Sequence, residues 1–135
     1  MGEAVNLVNI LKVKKVIFNC GKFNTLESSL IKVLEAKKIL YQSCINELGI
    51  DNYQLNFLNT KVFGDENNNS NVIYTELNGY KFMFMGDAGI EKEKDILDKY
   101  NLANIDVLKV DIMRVRQAVV KSLLKILKLN MELLV

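Results

Sequence analysis

The sequence predicts a mixed α/β chain of the α+β kind, layered around one deep sheet. Three observations carry that expectation. Residues 71–89, NVIYTELNGYKFMFMGDAG, hold two β-prone runs joined by Asn78-Gly79, the pair that best tolerates the positive φ angles of a two-residue hairpin. The second run alternates Tyr80, Phe82 and Phe84 with Met83 and Met85, so both faces are apolar and the strand is expected to be buried on both. It stops on GDAG at residues 86–89 and passes into an acid-rich amphipathic segment, which places Asp87 at the exposed mouth of a strand-to-helix turn.

The other elements follow in chain order. Residues 2–11 set Ala4, Val5, Leu7, Val8 and Leu11 at helical spacing, and Val16-Ile17-Phe18, bounded by Gly21, suits a short buried strand within residues 13–20. Asn24 is placed to cap a helix that runs to about Lys38, with Glu27 completing the capping box and Leu26, Leu30, Val33 and Leu34 as its inward stripe. Residues 39–45 and 55–60 alternate as strands do, with a turn at residues 49–52. Residues 64–71, GDENNNSN, read as a solvated connection with no core-forming residue. In residues 90–100, Ile90, Leu97 and Tyr100 share one helical face, and Glu91 and Glu93 decorate the N-terminal end, where carboxylates meet the positive end of the helix dipole. Residues 107–110 are the next strand.

Composition narrows the chemistry. With 135 residues, half of them hydrophobic and a quarter charged, the chain can build one core. It has no 18-residue uncharged apolar run and no basic start followed by an apolar stretch, so a cytoplasmic product is expected. Cys20 and Cys44 have no ligand spacing and are read as buried free thiols. There is no histidine at all, which argues against a transition-metal centre built from imidazole nitrogens. Asp65, Glu66 and Asp106 read as solvated acids able to attract a hard cation only weakly.

The stretch from Ser70 to Gly89, followed by a charged helix and then DVLKV at residues 106–110, resembles the metallo-β-lactamase-like domain of the ComEC competence proteins and their soluble hydrolase relatives. The resemblance covers residues 1–110 and implies a partial αββα layered fold. In that family the Asp of the Gly-Asp-Ala motif bridges two metals, zinc or manganese, that activate water for attack on a phosphodiester or similar ester. Asp87 matches that Asp. The family's first metal motif, His-x-His-x-Asp-His, directly precedes its first helix, so the chain is expected to begin just after that motif. With the imidazole ligands missing, the resemblance implies a hydrolase fragment that is inactive as written, with no cofactor and no small-molecule substrate. A sheet shortened in this way leaves strand edges open, and homo-oligomerisation is the expected consequence.

The last 25 residues differ from the rest. Residues 1–110 carry a net charge of −1, residues 111–135 one of +3. After the strand at 107–110 the family continues Gly-His-His-Gly-Ser, whereas this chain reads Asp111-Ile112-Met113. Those three codons, GAY-ATH-ATG, read one base out of phase give xGA-YAT-HAT, which encodes Gly-His-His for suitable free bases. A single-base frameshift near codon 111 is therefore the expected origin of residues 111–135. In that tail Arg114, Lys121, Lys125 and Lys128 line a basic stripe opposite Val115, Val119, Leu123, Ile126, Leu127 and Met131, which predicts a basic amphipathic C-terminal helix. Such a helix is able to bind nucleic-acid phosphates or an anionic membrane. Packing against the sheet or another copy is the favoured role, because a shifted frame has not been shaped for a partner. A non-catalytic binding or self-associating module is the alternative function.

Overall fold

The computed structural model describes residues 3–110 and the backbone of residues 132–134. Among the described residues three helices and eight strands form, so the expected α+β class is what the chain adopts. The first unit is strand–helix–strand. Helix α1 (Ala4–Ile10) precedes strand β1 (Lys15–Phe18), helix α2 (Thr25–Ala36) and strand β2 (Leu40–Ser43), and β1 pairs with β2 in parallel, Lys15 opposite Leu40 and Phe18 opposite Ser43. A parallel pair needs a crossover of a dozen or more residues, and α2 supplies it.

Helix α2 begins as its sequence predicts. Glu27 N–H donates to Asn24 Oδ1 at 2.9 Å, and Asn24 N–H donates to Glu27 Oε2 at 2.8 Å, closing the capping box. Its inward stripe is Glu27, Leu30 and Leu34; Leu26, expected inside, is 56% exposed. The reason is the cap itself, because holding Glu27 inward turns position 26 outward, about 100° away around the helix. Leu30 and Leu34 pack with Val8 of α1 and Phe18 of β1 into one core.

The second unit is a six-stranded mixed sheet in the order β3-β4-β5-β6-β7-β8. Strands β3 (Glu47–Ile50), β4 (Tyr53–Phe57), β5 (Ile73–Leu77) and β6 (Tyr80–Phe84) are antiparallel neighbours. Asn78 and Gly79 join β5 to β6 with φ of 51° and 82°, the positive pair that a tight hairpin demands. Residues 49–50, expected in a turn, end β3 instead, and the reversal falls on residues 51–52, where Asp51 takes φ 52°. Helix α3 (Ile90–Lys99) then crosses to β7 (Val107–Lys109), parallel to β6. Asp106 closes this crossover, accepting from Lys81 N–H at 2.8 Å through Oδ2 while its own N–H donates to the Lys81 carbonyl at 2.9 Å.

The core of this unit lies between α3 and one face of the sheet, where Met83, Met85, Val72, Leu108 and Val110 meet Ala88, Ile96 and Ile105. Strand β6 is thus buried on its methionine face alone. On the other face Tyr80 is 61% exposed, while Phe82 and Phe84, half-buried, stack on each other with centroids 6.4 Å apart. The expected burial on both faces fails because α3 packs on the methionine side only.

Two further expectations are corrected. Cys20 and Cys44 are joined in a disulfide rather than free. Spacing in sequence cannot show this, but the β1–β2 register does: Phe18 faces Ser43, and the two cysteines lie just past those ends with Cα atoms 4.4 Å apart. Within the range 111–135 where a C-terminal helix is expected, residues 132–134 instead form strand β8 (Glu132–Leu134), parallel to β7. It satisfies the backbone groups that β7 would otherwise leave open. Residues 111–131, with Arg114, Lys121, Lys125 and Lys128, lie outside the described residues. Among the described residues no helix is long and apolar enough to cross a membrane.

The revised α2 stripe sets a stability contrast. Leu34→Ala is expected to cost about 2–5 kcal/mol, and Leu26→Ala to stay within about 0.5 kcal/mol; urea unfolding of the two variants checks both.

Candidate functional site

Asp87 is placed by a turn that its own residues cannot complete. Met85 N–H still donates to the Lys109 carbonyl at 2.9 Å, so the sheet holds the chain up to that point. Gly86 takes φ 56°, and a Cβ there would stand 3.1 Å from the Asn71 carbonyl oxygen, so a side chain is excluded by conformation and space together. Ala88, buried, closes the turn by donating to the Met85 carbonyl at 3.2 Å. Gly89 is the N-cap of α3 and has no side chain to cap with.

The missing cap comes from the loop expected to be inert. Asn68 Oδ1 accepts from Gly89 N–H at 2.9 Å and from Lys92 N–H at 3.3 Å. Asp65 fixes Asn68 in turn, accepting from its N–H at 2.9 Å and its Nδ2 at 2.8 Å. Asn69, 6% exposed, exchanges two bonds with the Phe63 backbone at 2.8 and 2.9 Å and donates to the Asp65 carbonyl at 3.0 Å. The signal that could have found this is the Asp-x-x-Asn spacing within GDENNNSN, in which an Asp carboxylate accepts from the backbone N–H three residues on.

Around Asp87 opens a cleft of about 290 Å³, whose walls include Phe18 and Asn19 from the end of β1, Glu27 from α2, and Ser70 and Asn71 from the loop. The Asp87 side chain is exposed at its mouth. Asn71 Oδ1 is buried with no hydrogen-bond partner, and one Glu27 oxygen is occupied by the Asn24 cap. The donors are carboxylate, amide and hydroxyl oxygens. The dinuclear zinc or manganese centre implied by the family resemblance does not fit them, since it depends on imidazole and the chain has none. Among the described residues no three His, Cys, Asp or Glu side chains converge as metal ligands. Asp65 and Asp106, read as solvated acids, are both engaged in the backbone bonds described above. The basic stripe of Arg114, Lys121, Lys125 and Lys128 cannot be placed relative to the cleft, because it lies outside the described residues.

Helix α3 packs Leu97 and Tyr100 against the core as their spacing predicts, but it is rotated so that Ile90 is left outside. Lys92, Glu93 and Ile96 are buried, whereas Ile90 is 39% exposed. The segment after β4 explains the rotation. Lys99 Nζ and Tyr100 Oη both donate to the Asn59 carbonyl, at 2.7 and 2.6 Å. Lys61 Nζ reaches Glu91 at 2.9 Å and Asp95 at 3.2 Å, an exposed network that adds little stability. Phe63 packs beneath Lys92, whose Nζ is 5.6 Å from the ring centroid, fully buried and without a hydrogen-bond partner.

Burial is the largest influence on Lys92 and pulls its ammonium below the ordinary lysine value; the Lys99 charge adds to this, and Asp95 opposes it. The Phe63 ring acts the other way, favouring the charged form by about 0.5–2 kcal/mol. The chain matches no protein-family model and no curated protein.

The sign of the Lys92 effect follows from linkage. Between the lowered folded-state pKa and the ordinary lysine value, the unfolded chain binds a proton that the folded chain does not. Stability therefore rises with pH across that interval, and the penalty is fully present below it. Lys92→Met is expected to remove this slope and to relieve about 1–3 kcal/mol of unsatisfied burial. Urea unfolding of wild type and variant across the alkaline range checks it, and parallel pH profiles would contradict it.

Proposed function

We propose that this chain is a metallo-β-lactamase-like domain of the ComEC type that keeps the scaffold of a metal-dependent hydrolase without its chemistry. The observation that carries the reading is Asp87, held on a strand-to-helix turn at the mouth of a polar cleft between the end of β1 and the 64–70 loop. The two strand–helix–strand units, each with a parallel pair, are compatible with one αββα layered arrangement. The absence of histidine from all 135 residues removes the neutral nitrogen donors that would hold a metal and leave a position for water. The domain then acts by folding and associating in the cytoplasm, with β3 and the two-stranded β1–β2 unit offering strand edges to another copy. A frameshift near codon 111 accounts for the chemically different tail, and the gene read in the neighbouring phase is expected to show consecutive histidine codons there.

The enzymatic side of the reading has a direct test. Purified full-length chain supplied with zinc or manganese is expected to hydrolyse a phosphodiester no faster than buffer, and Asp87→Ala is expected to change nothing. A metal-dependent turnover that survives stringent purification and vanishes in Asp87→Ala would overturn the proposal.

A further inference from the structure

The Cys20–Cys44 disulfide sits where the fold is thinnest. Strands β1 and β2 share a four-residue register and join no further strand among the described residues. Beyond that register the next backbone bond, Cys44 N–H to the Phe18 carbonyl, is 3.3 Å long. The crosslink therefore adds to the core packing of Phe18 in holding the end of β1, and beyond Phe18 it ties the chain at Cys20. On one side, Cys20 is buried and adjoins Phe18 and Asn19, which wall the Asp87 cleft. Its other neighbour, Gly21, has φ 119° and lies so close to Asn69 that a Cβ there would meet Nδ2 at 3.0 Å. On the other side, Cys44 leads into a segment tied to the large sheet, with Asn59 Nδ2 donating to the Ile45 carbonyl at 2.6 Å and Phe57 N–H donating to the Asn46 carbonyl at 2.8 Å.

The two cysteines also differ in access. Cys20 is 3% exposed, whereas Cys44 is an exposed residue held at φ 51°, a conformation uncommon outside glycine. We propose that this disulfide is a redox-responsive latch: intact, it fixes the β1 wall of the Asp87 cleft to the large sheet, and reduced, it releases that wall while the large sheet stays folded. A dithiol is the reductant. One of its thiolates attacks Cys44 Sγ, the Cys20–Cys44 bond breaks with its electron pair on Cys20 Sγ, and that sulfur takes up a proton. The second thiol of the reductant then attacks the mixed disulfide and leaves as part of a cyclic disulfide, freeing Cys44 as a thiol. Two electrons and two protons pass to the protein.

Hydrogen exchange read by mass spectrometry on the full chain tests the latch, with the disulfide intact, after dithiothreitol, and after reoxidation. In the reduced chain, amides of residues 15–21 and 40–45 are expected to exchange about a hundredfold faster, the scale set by the loop entropy of such a crosslink. Residues 73–77 and 80–84 are expected to keep their protection, and reoxidation to restore the slow rates. A Cys20→Ser/Cys44→Ser variant should match the reduced chain; if it does not fold, the reduced wild type carries the comparison. Unchanged exchange at residues 15–21 after reduction would overturn the proposal. So would loss of protection throughout residues 73–84, which would make the bond a staple of the whole molecule, or a peptide map of the unreduced chain without a 20–44 link. None of these outcomes depends on hydrolytic activity.

Discussion

The amide of Asn68 is the contact on which the geometry around Asp87 depends. A helix leaves its first backbone N–H groups without intrahelical partners, and α3 starts on a glycine that offers none. Asn68 Oδ1 takes two of them from across a loop. A side-chain cap is worth roughly 1 kcal/mol, a modest figure for a whole fold but large for a four-residue turn. Without it, residues 86–89 would be anchored at the Met85 end and free at the other. Asp65 restricts the Asn68 rotamer, and Asn69 fixes the same loop to the Phe63 backbone. The position of one exposed carboxylate is thus set by three side chains that a composition-based reading assigns to solvent.

A second constraint acts on the same helix from its other end. Asn59 receives Lys99 and Tyr100 at one carbonyl, which rotates α3 so that Lys92 rather than Ile90 faces inward. Burying an ammonium with no hydrogen-bond partner is unfavourable, and the lowered proton affinity of Lys92 is the response. The cost is tolerated because the rotation also brings Ile96 fully into the core beside Met83 and Leu108. Full burial of an Ile side chain contributes roughly 1.5–3 kcal/mol, comparable with the penalty at Lys92, so the helix settles where its packing, not its charge pattern, is satisfied.

These two contacts explain which parts of the molecule were legible in the sequence. The β5–β6 hairpin and the α2 capping box were, because each is specified by residues within four positions of one another: Asn78-Gly79 for the one, Asn24 and Glu27 for the other. The place of the strand-to-helix turn at Asp87 was legible from residues 86–89, but the Asn68 contact that completes it was not. What escaped depends on partners far away in sequence. Asn68 acts on a turn 21 residues later, Lys99 on a carbonyl 40 residues earlier, and Cys20 on a cysteine 24 residues on. The outward face of β6 was misjudged because alternation in a strand reports that both faces are apolar, not whether a helix exists to cover each.

The cleft brings the local and the distant together. Its Asp87 side comes from a turn that residues 85–89 begin and Asn68 completes, while its opposite wall, Phe18 and Asn19, is positioned by the parallel β1–β2 register and the crosslink beyond it. The 64–70 loop touches both, capping α3 through Asn68 and crowding Gly21 through Asn69. Packing and hydrogen bonds thus connect the two walls through that loop. Asp87 stands on a backbone fixed at both ends of its turn, beside the oxygen atoms of Glu27, Ser70 and Asn71 that line the cleft. Its position is encoded in structural contacts, which folding requires whether or not any catalysis takes place.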